Sequence, residues 1–294
     1  MVNGLNLLFQ FLDGFAFIVL SALGLAVIFG MMGVINLAHG EFIMIGAYGT
    51  TLSYNAGLPL VVSMVVGVLV TTAFGVFLER TVVRRLYDRL LDSMVATWAL
   101  GLALAQGVRI VFGNSLDGIG MPLGAITYGG FSYSMYRVLL SALAVVVLVV
   151  AYLVFTRTAF GVRARATIQD PETARAMGVD TDRMYVVTFG IGSALAGLAG
   201  ALYAPTMSIV PGMGSTFLVE SFVAVVTGGT SVLLGTTLSG GVLGSADALF
   251  SNLYGTFVGQ IALLLVAIFV LRFLPQGLSG LVEDVRERME RESP

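Results

Sequence analysis

The chain has 294 residues, of which 57% are hydrophobic and 11% are charged, and its formal net charge is −2. Soluble proteins carry about 25% charged residues, so this composition excludes an ordinary soluble fold and indicates a membrane protein. A net negative charge gives no electrostatic basis for binding nucleic acid. The sequence contains no cysteine, one histidine (His39) and no lysine. Thiolate and multi-histidine metal sites are therefore excluded. A Walker A loop requires lysine, so any ATP must be bound by another chain and no cofactor is expected here.

Nine apolar segments approach the length of about 20 helical residues that crosses a bilayer. In chain order they are residues 15–35, 38–56, 59–78, 92–112, 137–156, 184–206, 216–231, 232–254 and 255–274. Segment 38–56 contains His39 and Glu41, and segment 216–231 is short, so we expect eight or nine crossings. No low-complexity linker divides the chain. The sequence thus predicts an all-α transmembrane bundle in a single domain, residues 1–294, with some discontinuous helices.

Arginine is concentrated in two loops, 79–92 and 157–183, and in the charged tail 277–294. Loops rich in basic residues stay on the cytoplasmic side of a membrane, so we place these three regions in the cytoplasm. The loop 113–136 has no basic residue and is expected to face outward. The N-terminus then lies outside the cell and the C-terminus lies in the cytoplasm.

Three polar residues, Asn36, His39 and Glu41, lie between two apolar segments. Polar and charged groups are costly inside a bilayer and usually face a bundle interior or a cavity. Gly33 and Gly40 weaken helix continuity, and a broken helix is tolerated where its backbone lines a cavity, as in many transporter sites. The alternative is a cytoplasmic turn between two helices, with Asn36 capping the second helix.

A second polar group lies in the other half of the chain, where Glu220, Ser221 and Thr227 precede or adjoin Gly228-Gly229. Glycine lets a backbone come close to a small ligand, so this segment is a second candidate for a solute pathway. The alternative is close helix packing through small residues, with the hydroxyls bonded to their own helix. One such group in each half suggests two diverged repeats.

Helix-capping residues follow one another in the basic loop 157–183. Asp170 suits the N-cap, Pro171 suits the first helical position, and Gly178 suits the position after the helix end. We therefore predict a short cytoplasmic helix formed by Pro171, Glu172, Thr173, Ala174, Arg175, Ala176 and Met177. A helix of this kind is what a membrane subunit would offer to a cytosolic partner. The alternative is a surface helix without a partner.

Four stretches carry a resemblance to a known family: GVINLAHGEFIMIGAY (33–48), RTAFGVRARATIQDPETARAMGVDTDR (157–183), TFGIGSALAGLAGALY (188–203) and VESFVAVVTGGTSVLLGTTLSG (219–240). They resemble the branched-chain amino acid and urea permeases of ATP-binding-cassette (ABC) importers. The NLAHGE and VVTGGTSVLLG motifs are more similar to those of the urea-importer permease subunit.

The resemblance implies partners in addition to membrane lipid: a second homologous permease subunit, two cytosolic ATPase subunits and an extracytoplasmic solute-binding protein. It implies that residues 171–177 form the coupling helix, which docks in a groove of an ATPase. It also implies that the solute pathway is formed by Asn36, His39, Glu41, Glu220, Ser221 and Thr227.

On this basis the sequence predicts a permease subunit, without enzymatic activity of its own, that imports urea across a bacterial inner membrane. Transport would proceed by alternating access, driven by the partner ATPases. Carboxylates such as Glu41 and Glu220 can accept hydrogen bonds from the urea nitrogens, and hydroxyls such as Ser221 can donate one to its oxygen. The scarcity of basic residues in the spans favours a neutral solute. The alternatives are a branched-chain amino acid permease and a passive channel for urea or amides.

Overall fold

A computed structural model describes residues 2–87, 89–229 and 231–282 of the chain. Its helices are α1 Val2–Met32, α2 His39–Asn55, α3 Leu60–Thr81, α4 Leu90–Phe112, α5 Met135–Arg157, α6 Ala159–Gln169, α7 Pro171–Ala176, α8 Thr181–Tyr203, α9 Gly214–Gly228, α10 Val232–Tyr254 and α11 Thr256–Phe273. Short 3₁₀ helices lie at Val83–Leu86 and Ala204–Thr206. Two strands, β1 Ala125–Tyr128 and β2 Phe131–Ser134, form an antiparallel hairpin.

The all-α prediction is confirmed, because each of the nine apolar segments is a helix in the structure. In the described part of the chain, seven helices are long and apolar enough to span a membrane: α1, α3, α4, α5, α8, α10 and α11. The helices α2 and α9 are shorter, with 17 and 15 residues. Helix α1 begins at Val2 rather than at residue 15, since the apolar residues before 15 include no helix-breaking proline. The number of crossings and their orientation stay predictions.

The distribution of exposed residues also fits a membrane protein. Helix α4 buries only three of its residues, Ser93, Thr97 and Gly101. Its apolar side chains point outward, with Leu91 73% and Ile110 84% exposed. Small residues inside and large apolar residues outside are what a helix facing lipid requires. The chain is therefore a multi-pass membrane protein.

The described residues pack as two compact units, and the prediction of a single domain stays a prediction. One unit contains residues 2–22, 123–148 and 220–282, and the other contains residues 23–122 and 149–219. The charged tail 277–294 begins with helical backbone at 277–282, and its residues 283–294 lie outside the described residues.

In the unit formed by 23–122 and 149–219, α2, α3 and α8 pack against one another. The ring of Phe42 contacts Phe74 and Phe189 edge-on, with centroids 5.9 and 6.0 Å apart. The backbones of α2 and α8 touch directly, since a Cβ atom on Gly46 would lie 2.7 Å from the Gly197 Cα atom. Glycine permits this approach, which increases the packing contacts between membrane helices.

In the unit formed by 2–22, 123–148 and 220–282, α10 packs against α11. Arg137 at the start of α5 forms an ion pair with Asp13 of α1. The Ser141 hydroxyl donates a hydrogen bond of 3.0 Å to the Leu12 carbonyl oxygen. Polar contacts therefore fasten α5 to α1 in this unit, in addition to apolar packing.

The β-hairpin lies within the loop 113–136 and was not predicted from the sequence. Its turn residues Gly129 and Gly130 both have positive φ, 48° and 85°. A two-residue hairpin turn with two positive φ angles matches the twist of the strands, and glycine adopts it without strain. Helix α6 was also not predicted; the Thr158 side chain caps it by accepting a hydrogen bond from the Gly161 amide.

Candidate functional site

The segment between α1 and α2 is a non-helical break in which Val34, Asn36 and Ala38 are buried. Helix α1 ends before Gly33, whose φ of 63° favours glycine. The Thr97 hydroxyl of α4 accepts a hydrogen bond of 3.0 Å from the Leu37 amide. The Asn36 side-chain oxygen accepts one of 3.1 Å from the Ala38 amide, which forms a local turn just before α2. The N-cap of α2 is Ala38 and no side chain caps the helix, so the prediction that Asn36 is the cap is wrong. The break is therefore a turn held by Asn36 and Thr97, and its place in a solute pathway stays a prediction.

Glu41 lies in the first turn of α2 and is 9% exposed. No group in the described ranges donates a hydrogen bond to its Oε2 atom. The Glu41 Cγ atom lies 3.6 Å from where a Cβ atom on Gly101 of α4 would be. A helix N-terminus stabilises a nearby negative charge, but a buried oxygen without a partner is still costly. Glu41 is therefore suited to receive a hydrogen-bond donor or a cation from a solute.

The N-termini of α2 and α9 meet beside Glu41. A Cβ atom on Gly214, the first residue of α9, would lie 2.5 Å from the Gly40 carbonyl carbon and 2.8 Å from the Glu41 amide nitrogen. The two short helices thus touch backbone to backbone at their first turns, and Ser215 and Thr216 of α9 are exposed there. Each helix N-terminus carries a partial positive charge, although the Glu41 and Ser215 amides already donate hydrogen bonds to the Ala38 and Gly212 carbonyl oxygens.

The structure places Asn36, His39 and Glu41 around one helix entry, and all three are buried. The imidazole of His39 packs against Gly24 of α1, whose Cβ atom would be 3.0 Å from the His39 Cε1 atom. This arrangement joins the first three predicted pathway residues in one unit. Their role in transport stays a prediction.

The second polar group lies on α9, and its Thr227 and Gly228 are used in helix packing. The Thr227 hydroxyl donates a hydrogen bond of 2.7 Å to the Val223 carbonyl of its own helix. Gly228 packs on Gly235 of α10, because a Cβ atom at Gly228 would lie 2.7 Å from the Gly235 carbonyl carbon. These positions match the alternative interpretation of close helix packing. Ser221 differs, since its buried Oγ has no hydrogen-bond partner among the described residues.

Glu220 belongs to a group of carboxylates that the sequence did not reveal. The Asp247 carboxylate of α10 interacts electrostatically with Glu220 and with Asp13 of α1. Arg137 pairs with Asp13, and the Ser251 hydroxyl lies 3.2 Å from Asp247 Oδ1. The ion pair between Arg137 and Asp13 could have been suspected from the sequence, because each residue lies at the edge of a predicted apolar segment. Within the described ranges, no group of three or more His, Asp or Glu residues is placed to hold a metal ion.

The short helix predicted for residues 171–177 is present as α7, Pro171–Ala176, with Met177 as its C-cap. The Asp170 carboxylate accepts hydrogen bonds of 3.0 Å from the Glu172 and Thr173 amides. Hydrogen bonds from the side chain and amide of Thr173 hold the pKa of Asp170 below its usual value. Gly178 follows with φ 86°, as the capping prediction required. The local structure is confirmed, and its docking role stays a prediction.

Helix α7 is bonded to the start of α8 and, through it, to the connection between α3 and α4. The Arg175 Nη2 atom donates a hydrogen bond of 2.7 Å to the Thr181 hydroxyl. Asp182 lies 3.9 Å from Arg175 and forms an ion pair with Arg84 of the 3₁₀ helix Val83–Leu86. Each surface pair is weak, about 0–1 kcal/mol. Together they nevertheless connect α7 to both neighbours.

A second contact joins α8 to the connection between α3 and α4. The Tyr87 hydroxyl, in the α3–α4 connection, donates a hydrogen bond to Glu79 at the end of α3. The Tyr87 ring also contacts the Tyr185 ring of α8, with centroids 4.8 Å apart. Burial and then the Glu79 carboxylate raise the pKa of Tyr87, so the phenol keeps its proton and remains the donor.

Comparison with known proteins gives a consistent result over most of the chain. A family model described as branched-chain amino acid transport system / permease component matches residues 7–274. The chain is 30% identical over 283 residues to the high-affinity branched-chain amino acid transport system permease protein BraD of Pseudomonas aeruginosa, covering 89% of this chain and 91% of BraD.

Two further relatives have similar coverage. The chain is 28% identical to the probable branched-chain amino acid transport permease protein LivH of Methanocaldococcus jannaschii, over 90% of this chain and 88% of that protein. It is 27% identical to the high-affinity permease protein LivH of Escherichia coli, over 89% of this chain and 90% of LivH. No solved structure matches the chain.

Proposed function

The chain belongs to the family of branched-chain amino acid transport permease components, and from that premise we propose that it carries an amino acid across a bacterial inner membrane. It would do so as the membrane-spanning subunit of an ABC importer, by alternating access. The family and the multi-pass fold support the transport role. The names of its relatives favour a branched-chain amino acid over the urea expected from the sequence.

The observation that carries the substrate proposal is the meeting of two helix N-termini beside a buried carboxylate. An amino acid is a zwitterion, so its site needs a partner for each charge. Glu41 offers a buried carboxylate oxygen without a hydrogen-bond partner in the described chain, which suits the ammonium group. The N-terminus of α9, where Ser215 and Thr216 are exposed, offers its partial positive charge to the substrate carboxylate. Broken helices place their N-termini against anionic solute groups in other transporters.

Urea is the second candidate, and a different observation favours it. The buried polar residues around the break are Asn36, His39 and Glu41, and none of them is an arginine. Acceptors such as Glu41 and the Asn36 amide oxygen suit the NH₂ groups of a neutral solute. Urea, however, has no negatively charged group for the partial positive charge of the helix N-termini to stabilise. We therefore rank urea below an amino acid.

Transport would be driven by partner chains. We propose two cytosolic ATPases, a second homologous permease subunit and an extracytoplasmic solute-binding protein. Helix α7 would dock on an ATPase, because it is a capped helix in a basic loop and all of its residues except Ala174 are exposed. Its hydrogen bond from Arg175 to Thr181 then gives the motion of the ATPase a route into α8. The N-terminus would lie outside and the C-terminus in the cytoplasm.

The test is uptake of labelled leucine by cells that express the whole complex, with unlabelled leucine, valine and urea as competitors. We expect leucine and valine to compete and urea not to. Competition by urea alone would support the second candidate. Uptake that continues after ATP depletion would contradict the importer and indicate a passive channel. Glu41→Gln should lower uptake while the complex still assembles, which separates the site from folding.

A further inference from the structure

The contact between α2 and α4 differs from the other contacts in its unit. Helices α2, α3 and α8 pack extensively on one another, whereas α4 meets α2 only through a narrow face. The buried residues of that face are Ser93, Thr97 and Gly101, none of which has a large side chain. A contact made of small side chains has little apolar area to lose on separation. Helix α4 is therefore the neighbour that can move away from α2 at the lowest cost.

Three contacts show that α2 and α4 run in the same direction. Thr97 bonds to the Leu37 amide, just before α2 begins. Gly101, one turn later, faces Glu41 in the first turn of α2. Phe112, the last residue of α4, contacts the Tyr48 ring with centroids 5.8 Å apart. Helices α2 and α4 thus face each other from the break before α2 to the last residue of α4.

Two polar atoms are sealed in this contact. The Glu41 Oε2 and Tyr48 hydroxyl oxygens are buried, and neither has a hydrogen-bond partner in the described part of the chain. Glu41 is 9% exposed and Tyr48 is 3% exposed. Tyr48 is seven positions after Glu41, which places both on one face of α2 about 10 Å apart along its axis. Each unpaired buried group is unfavourable, and two on one face need an explanation other than packing.

The ring of Tyr48 is explained by its contact with Phe112, but its hydroxyl is not. Phenylalanine would make the same ring contact without burying an unpaired oxygen. A buried hydroxyl that has no hydrogen-bond partner within the protein can bind one when a ligand enters the contact. In this contact that partner would be the solute, since Glu41 awaits one on the same helix face.

We propose that Glu41 and Tyr48 are two successive stations of a solute track between α2 and α4, and that α4 is the wall that separates to open it. The proposal rests on the proposed function, because it takes the solute to be a small zwitterionic amino acid. Its ammonium group binds Glu41 at the first station. At the second station its carboxylate accepts a hydrogen bond from Tyr48. Gly101 keeps the wall opposite Glu41 free of a side chain, and the Phe112 ring offers an apolar surface beyond it.

The first test is Tyr48→Phe, which keeps the ring and removes only the hydroxyl. We expect uptake at limiting substrate to fall about three- to ten-fold, the factor that one hydrogen bond provides. Tm of the purified complex should be unchanged or higher, because an unpaired buried group is lost. The matched control is Tyr54→Phe, on the same helix, where the side chain is 40% exposed. Wild-type uptake by Tyr48→Phe, or a fall in Tm that accounts for the loss, would overturn the second station.

The second test fills the track from the opposite wall. Gly101→Leu should block uptake, because its side chain would extend toward Glu41, whose Cγ already lies 3.6 Å from a Cβ atom at this position. Gly107→Leu is the control on the same helix, where no atom lies within 4 Å of the new Cβ. Both variants should assemble with the ATPases. Equal uptake by the two variants would refute the track, while leucine competition in the wild type would leave the proposed function standing.

Discussion

Gly214→Ala tests whether the contact between the N-termini of α2 and α9 is needed for the candidate site. The added Cβ atom would lie 2.5 Å from the Gly40 carbonyl carbon, where contacts below 3.4 Å are already tight. The two helix ends would have to separate by about 0.9 Å to restore an ordinary contact. Overpacking of this kind costs about 1–3 kcal/mol. That exceeds the ~0.5–1 kcal/mol that alanine gains over glycine within a helix, so the variant should be less stable.

The assay combines thermal unfolding of the purified complex with uptake at limiting substrate. We expect a lower Tm and a larger loss of uptake than the change in folded fraction explains, because the helix ends that would bind the substrate carboxylate have moved. Gly241→Ala on α10 is the control, since no atom lies within 4 Å of its Cβ. A Gly214→Ala variant with the uptake and Tm of the wild type would refute the close contact and the site built on it.

Glu41→Gln should reduce uptake at limiting substrate about ten- to hundred-fold, the factor for a lost charged hydrogen bond, and Glu220→Gln should also impair it; unchanged uptake by both, with normal assembly, would exclude these residues from the pathway. Ala174→Pro removes the 2.9 Å hydrogen bond from the Ala174 amide to Asp170 and should leave ATP hydrolysis without uptake. Ala174→Ser, which keeps that amide, should remain coupled, and a coupled proline variant would disprove the role of α7. Asp182→Asn removes the carboxylate that pairs with Arg84 and Arg175, and it should change stability by less than about 1 kcal/mol while lowering uptake per ATP hydrolysed; an unchanged ratio would show that these ion pairs do not contribute to coupling.

Local sequence patterns were enough to predict every described α-helix except α6. All nine apolar segments became helices because a bilayer demands long apolar stretches whose backbone bonds internally. The caps of α7 were predicted to within one residue, since Asp170 and Gly178 act on neighbouring backbone groups. The double-glycine turn of the β-hairpin at Gly129-Gly130 was an available signal that the sequence analysis did not use.

Contacts between distant residues could not be predicted in the same way. Gly40 and Gly214 meet although most of the chain's helices lie between them in sequence. Thr97 was an unremarkable residue within a span until the structure placed it on the Leu37 amide. Tyr48 stood inside a recognised motif, and its position seven residues after Glu41 was a usable signal. Only the structure, however, shows that both side chains face α4 and remain unpaired.

Helix α8 connects α7, which we propose docks on the ATPase, to the candidate site. Its first residue, Thr181, accepts a hydrogen bond from Arg175 of α7. Further along, Gly197 touches Gly46 of α2, and a Cβ atom on Gly200 would lie 2.8 Å from the Ala47 amide nitrogen. Contacts between backbones contain no flexible side chain to absorb a displacement, so α2 should follow α8 when α7 moves. Between α4 and α2 the contact at a glycine is looser: a Cβ atom on Gly101 would lie 3.6 Å from the Glu41 Cγ atom. A pull on α7 should therefore widen the space between α2 and α4 first, where Glu41 and Tyr48 lie.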